Sequence, residues 1–402
     1  MGALCQDCHG PPFTLVYFVA MRSLAGRFLR GMKLPMIVGT VCSQVWSGYH
    51  VPQATAAPAT PAPIVAALAT DPVPHDADDP AIWVDAADPS RSLVIGTDKV
   101  EGTGGLYAFG LDGRLRQSIA PLNRPNNVDV EYGFRLGGGL IDIVVATERK
   151  ERRLRVYRLR PDGSGLEDVS APGGLSVLAG QTGAAGEPMG IALYRRPRDG
   201  AVFAIVSPKA GGATDYLWQY RLEDDGAGRV RGVPVRRFGG FSGRGEAPGV
   251  AGEIEAIVVD DELGFVYYAD ERFGIRKWRA DPDAADASRE LAVFGLDAYE
   301  GDREGLAIYA QPGGKGFILS VDQIPGASRL HVYPREGAEG DPHRHPRLAT
   351  VPTFVDATDG IDATAAPLPG FPRGVVVMMN SGGRNFLLFP WEAVAARIPG
   401  AR

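Results

Sequence analysis

No cysteine occurs after residue 42 of this 402-residue chain; Cys5, Cys8 and Cys42 are the three it has. The remainder has neither disulfides nor a thiolate metal site, so core burial or an oxygen-ligated metal must hold it together. Histidine is scarce too, and His75, His331, His343 and His345 lack the paired spacing of a zinc site. Basic residues are not in excess: 42 Lys+Arg against 48 Asp+Glu give a net charge of −6. Neither nucleic acid nor an anionic membrane surface is therefore an expected partner. The apolar run from Leu34 to Trp46 is too short to span a bilayer. Helical periodicity after residue 70 is confined to Trp391 to Ile398. Glycine and proline, by contrast, are plentiful, at 53 and 32 residues beside a 45% apolar content. That combination implies many turns between short strands, in one large all-β domain with a tail.

Arg22, Arg27, Arg30 and Lys33 precede the apolar run, and Ala54-Thr55-Ala56 follows it. This is the order of a secretory signal. Residues 1–56 are read as a signal-like segment, with Met21 and Met32 as alternative starts, and the protein as secreted or periplasmic. A lipoprotein reading at Cys42 is opposed by Gly39-Thr40-Val41, a poor lipobox. Cys5-Gln-Asp-Cys8-His9 has the spacing of a haem attachment site, but no cytochrome-like helices follow and the match is read as accidental. Residues 57–70, rich in Ala, Pro and Thr, read as a linker, and 71–402 as the folded domain.

One unit recurs six times in that domain: an acidic or amide residue, a short apolar strand, a turn, and a second apolar strand ending in a polar residue. The copies run from Asp78 to Lys99, Asn126 to Arg149, Glu187 to Lys209, Glu253 to Arg272, Asp302 to Gln323 and Thr358 to Asn380. Five are followed by a third strand carrying Tyr107, Tyr157, Tyr220, Trp278 or Tyr333, read as packing residues. Six such units predict a six-bladed β-propeller, with a β-sandwich as the alternative.

In a propeller the innermost strands line the axis, and equivalent positions meet at one mouth. The repeat start supplies Asp78, Asp79, Asn126, Asn127, Glu187, Glu255, Glu304 and Asp359. Carboxylates so crowded must either keep protons or bind a cation, and oxygen donors without His or Cys suit calcium. Lys99, Arg149, Lys209 and Arg272 close the second strands and are expected beside the acids, forming an anion site in an otherwise acidic protein. Asp260, Asp261 and Glu262 read as a hairpin turn.

The strings DDPAIWV, NNVDVEYGF, EPMGIALY, IEAIVVDDELG, FGIRKW, EGLAIY, TDGID and NFLLFPWE resemble, in this order and approximate spacing, the β-propeller phytases. The resemblance implies a monomeric phosphomonoesterase that binds several Ca2+ ions and hydrolyses myo-inositol hexakisphosphate (phytate) with metal-activated water. Two adjacent phosphates would be held, one for cleavage and one for affinity. Asp78 and Asp79 resemble bridging calcium ligands, and Glu255 and Glu304 the carboxylates that hold calcium and position water. Asp359 and Asn127 would complete that shell, with Asp302 nearby and Glu187 a further ligand. Lys99, Arg149 and Lys209 are similar to the cations that grip phosphate. The chain departs from the pattern at Met189, where the family usually has Tyr, and at Glu131, where it has Arg. It departs again at Arg272 in an acidic run and at Asn380-Ser381-Gly382 in place of Gln-Asp-Gly. A gluconolactonase-type propeller and a non-catalytic binding propeller are the alternative functions.

Overall fold

The computed structural model describes residues 61–160 and 162–401. They form six antiparallel sheets, the second carrying one extra short strand. Their innermost strands are Ala77–Trp83, Pro125–Leu136, Pro188–Arg195, Ile257–Asp260, Leu306–Gln311 and Ile361–Thr364. Each contacts the innermost strand of both neighbouring blades, and the sixth contacts the first. The expected six-bladed propeller is what the chain forms. No helix among the described residues is long and apolar enough to cross a membrane.

The apolar content is spent between blades rather than in one central core. Six separate clusters are present, each shared by two adjacent sheets. Alternation explains this arrangement, since successive strand residues face opposite neighbours and both faces of every blade are covered. The five third-strand aromatics are all buried in these layers, as their regular recurrence suggests. Asp260, at the end of its strand, forms a two-pronged ion pair with Arg335 at 2.6 Å per bond, and Glu262 joins it at 3.0 Å. That hairpin is structural.

The described part of the expected linker is folded, so the boundary at residue 71 moves towards the N-terminus. Leu68–Ala69 is the outermost strand of the sixth blade, with Leu68 opposite Leu388 and Ala69 opposite Leu387. Ile64 is buried and bridges to Thr353, and Thr70 Oγ accepts from the Phe386 amide at 3.0 Å. An Ala/Pro/Thr composition hid this because two paired residues are enough to cover the exposed edge of Asn385–Pro390. The chain then ends on the helix Trp391–Ala395, whose Trp391 stacks on Tyr309 at 3.5 Å between ring centroids. Replacing Ile64→Ala should lower stability by about 2 kcal/mol or more, read as a reduced urea midpoint with unchanged slope; an unchanged midpoint would mean that the ring closes without this segment.

Candidate active site at the propeller mouth

A local device repeated in the first three blades builds one mouth of the channel. Pro125 and Pro188 open the second and third innermost strands and Pro80 lies three residues into the first, where a proline sits without cost because it removes a donor from an edge. A register shift follows the first residue of each of these strands, between Ala77 and Pro80, Pro125 and Val128, and Pro188 and Ile191. Bulges of this kind turn side chains out of the sheet alternation. The amides they free are taken up by hydroxyls of the second strand: Asp79 by Thr97 at 3.0 Å, Asn127 by Thr147 at 3.1 Å and Gly190 by Ser207 at 2.9 Å. Two residues after each hydroxyl comes the cation, Lys99, Arg149 or Lys209.

The residue between hydroxyl and cation anchors the loop that delivers the same blade's first strand. Asp98 accepts from the Asp76 amide at 2.8 Å and Glu148 from Asn123 at 3.0 Å. At equivalent register Asp270 accepts from Ser242 at 2.7 Å, Asp322 from Gly301 at 2.7 Å and Asn380 from Asp356 at 3.1 Å. Asn380 thus anchors a loop. In the fourth blade this register puts Glu271, not Arg272, in the place of the cations. The repeat pattern predicts Arg272 there and does not single out Glu271, which lies inside an acidic run.

The result is a cavity of about 300 Å³. Lys99, Arg149, Lys209, Arg272, Glu255, Glu304, Asp302 and Asp359 line it as expected, with Met189 at the departure position and Glu253, Glu271 and Arg124 in addition. Lys99 Nζ donates to Asp78 Oδ1 at 2.8 Å and pairs with Asp359. Arg149 and Lys150 hold Glu187 at 2.8 and 3.0 Å, outside the cavity lining. Lys209 pairs with Glu253, and Arg272 with Asp302. Glu255 accepts from the Asn126 amide at 2.7 Å. Glu253, Glu255 and Glu271 bring one carboxylate oxygen each within 4.8 Å of one another. Gly190 must be glycine here, since a Cβ would collide with the Glu255 carbonyl.

Burial, reinforced by neighbouring carboxylates, pushes Glu271 and Glu304 well above the usual carboxylate range. Burial also raises Asp78 and Glu255, although Lys99 opposes the shift in both. Asp78 and Asp359 keep the Lys99 ammonium charged against the opposing pull of burial. Glu187 goes the other way: burial works against it, but hydrogen bonds from Lys150 and Arg149 hold it below its ordinary value. Asp78 Oδ2 and Asn126 Oδ1 are buried without a hydrogen-bond partner. Unmatched oxygens beside three converging carboxylates, with no nitrogen or sulfur donor among them, fit a hard divalent cation.

Asp79 and Asn127 lie elsewhere, in a smaller cavity of about 40 Å³ deeper in the channel that shares Glu304 with the mouth. There carboxylates satisfy free amides of neighbouring innermost strands. Asp79 accepts from Val128 at 3.0 Å, Asp129 from Leu193 at 2.6 Å and Asp362 from Ile82 at 2.7 Å, and Asp261, outside that cavity's lining, accepts in the same way from Arg195 at 3.0 Å. Innermost strands are edge strands, and a narrow channel cannot offer every amide a water. Gly360 belongs to this zipper, because a Cβ would strike Asp79 Oδ1. Glu131 sits beside Asp261, buried and raised for that reason, far from the mouth cavity's lining.

Fold and mouth together define a propeller with an acidic cluster ringed by cations at one mouth. The sequence matches the phytase family over residues 30–397. It is 31% identical over 358 residues to the 3-phytase of Bacillus subtilis (strain 168), covering 83% of this chain and 85% of that one. Among solved structures it resembles a luciferin-regenerating enzyme at 13% identity and a TM-score of 0.45, covering 81% and 94% of the two chains. Sqt1 of Saccharomyces cerevisiae is similar at 9% identity and a TM-score of 0.41, over 83% and 100%. Those scores carry no argument. The chain belongs to the phytase family and is a 3-phytase-like hydrolase.

Burial raises Asp129 to about 6, and Asp261 and Asp362 to about 7. Folded, these groups keep protons that the unfolded chain releases near pH 4. The stability they contribute is complete below about pH 4 and is lost as pH rises through about 7. The thermal midpoint in chelator should accordingly fall across that interval; a midpoint that rises would contradict the channel zipper.

Proposed function

We propose that the mouth binds several calcium ions and hydrolyses phosphate monoesters of myo-inositol hexakisphosphate. The observation that carries this reading is the convergence of Glu253, Glu255 and Glu271 within 4.8 Å, inside a cavity that Lys99, Arg149 and Lys209 also line. Asp78, Glu304 and Asp359 would complete the donor set. Bound there, calcium supplies positive charge to phosphoryl oxygens and acidity to water.

The chain's own residues do the rest. Lys209 and Arg149 reach the cavity from the third and second blades and neutralise phosphate oxygens, while Lys99, fixed by Asp78 and Asp359, holds its ammonium against the same anion. Glu255 is kept in one orientation by Asn126 and, with Glu304, positions the attacking water and takes its proton. No covalent enzyme intermediate is required. A gluconolactonase-type site has no evident use for this number of cations, and membership of the phytase family disfavours both that reading and a purely binding role. One chain carries the whole ring, so a monomer is expected to be competent.

Phosphate release from phytate should rise with added calcium and vanish on chelation, and Glu255→Gln should lower kcat by about 100-fold or more. A full rate in chelator would remove calcium from the reading, and a fully active Glu255→Gln would remove that carboxylate. We also propose export. The signal-like residues 1–56 lie outside the described residues, and the closing segment from Ile64 is retained by cleavage near Ala56. Recovery of a chain beginning close to residue 57 from the periplasm or medium is the expected result; an intact cytoplasmic chain would refute export.

A further inference from the structure

Among the described residues four arginines are buried: Arg149, Arg196, Arg303 and Arg335. Arg149 is paired with Glu187, Arg196 with Asp199 and Arg335 with Asp260. Among the same residues Arg303 has no carboxylate within ion-pair distance, and its guanidinium donates to main-chain carbonyls instead. Nε and Nη2 reach the Gly295 carbonyl at 2.9 and 2.7 Å, and Nη1 reaches that of Glu271 at 2.7 Å. Its Cζ lies over the Tyr299 ring, 3.9 Å from the centroid, and its own amide also donates to the Glu271 carbonyl, at 3.4 Å. Carbonyl dipoles and an aromatic face thus replace the water that this cation gives up. Arg303 leads into the innermost strand of the fifth blade, whereas Glu271 follows the second strand of the fourth and Gly295 its outermost. Glu271 is one of the three converging carboxylates, and Glu304, which also lines the mouth, comes directly after Arg303. Arg272, next to Glu271, crosses the same gap in the other direction, with Nη2 2.9 Å from Asp302 Oδ2. Two arginines therefore clasp residues 271–272 of one blade to residues 302–304 of the next.

We propose that Arg303 is a positioning residue that sets the separation of Glu271 and Glu304, and through it the affinity of the mouth for its cations. Holding the Glu271 carbonyl fixes the peptide plane between residues 271 and 272, and with it the direction in which the Glu271 side chain leaves the backbone. The bond comes from the residue adjoining Glu304, so the positions of the two carboxylates are linked across the blade boundary. Calcium affinity depends on the rigidity of the oxygen donors as well as on their charge. Donors already in place bind more tightly than donors that must first be gathered against their own repulsion. Arg303 itself touches neither cation nor substrate. This inference rests on the calcium reading above and adds to it a buried residue that acts only through its neighbours.

The test titrates calcium into the whole metal-free protein, by calorimetry and by phosphate release from phytate, for wild type, Arg303→Met and Arg303→Lys. Methionine keeps an apolar stem over Tyr299 and removes the donors; lysine keeps the charge but can reach only one of the two carbonyls. For Arg303→Met the calcium concentration giving half-maximal release should rise about ten-fold, the loss of one charge-assisted bond, and the calorimetric affinity of at least one calcium ion should weaken by the same factor. Arg303→Lys should be weakened less. A purely structural role would lower the thermal midpoint in chelator and leave calcium affinity as in wild type at a temperature where the variant is folded, and that result overturns the proposal. Should Arg303→Met fail to fold, Arg303→Lys decides: weakened calcium affinity supports the role, and wild-type affinity overturns it. Wild-type protein that binds no calcium defeats the function proposed above, whereas a calcium-binding wild type matched by both variants defeats only this inference.

Discussion

Carboxylates at the mouth are packed more closely than their mutual repulsion and burial allow them all to ionise, and most of the surrounding structure answers that one constraint. Glu253, Glu255 and Glu271 converge, with Asp78, Glu304 and Asp359 around them. Lys99, Arg149, Lys209 and Arg272 each neutralise some of this charge, but the remainder must be met by protons or by bound cations. On the function proposed above, bound cations would let an acidic protein attract a polyanion.

The scaffold that makes such crowding tolerable is repetitive. Bulge, hydroxyl, loop anchor and cation recur at fixed register in the first three blades, apart from Pro208 at the anchor position of the third, and each piece satisfies a backbone group that the previous one leaves open. Deeper in the channel Asp79, Asp129, Asp261 and Asp362 serve the amides of adjacent edge strands. The same residue type thus performs two jobs a few residues apart in sequence. Asp78 faces Lys99 at the mouth, while its neighbour Asp79 holds the second blade.

This duality marks the limit of what could be read from residues alone. The repeat phase revealed six blades and brought Lys99, Arg149, Lys209, Glu255, Glu304 and Asp359 to one cavity, because spacing along the chain translates directly into position around a ring. It could not separate Asp79 and Asn127 from the mouth, since a bulge reverses the alternation without leaving a residue-type signature. Glu253 opens its repeat two residues before Glu255, which alone was assigned to the ring, and Glu271 replaces a cation at equivalent register. The closing strand was concealed by a composition typical of linkers.

That closing strand ties the start of the domain to its finish. Thr70 and Phe386, joined by a hydrogen bond, are 316 positions apart, so the first strand to leave the ribosome waits for nearly the last. Until the sixth blade exists, the earlier ones form an open arc with two bare flanks, and the mouth, assembled from all six, has no finished shape. Completion of the mouth accordingly waits for the whole domain, and a chain that stops before the sixth blade lacks Asp359 and the strand that pairs with Leu68–Ala69.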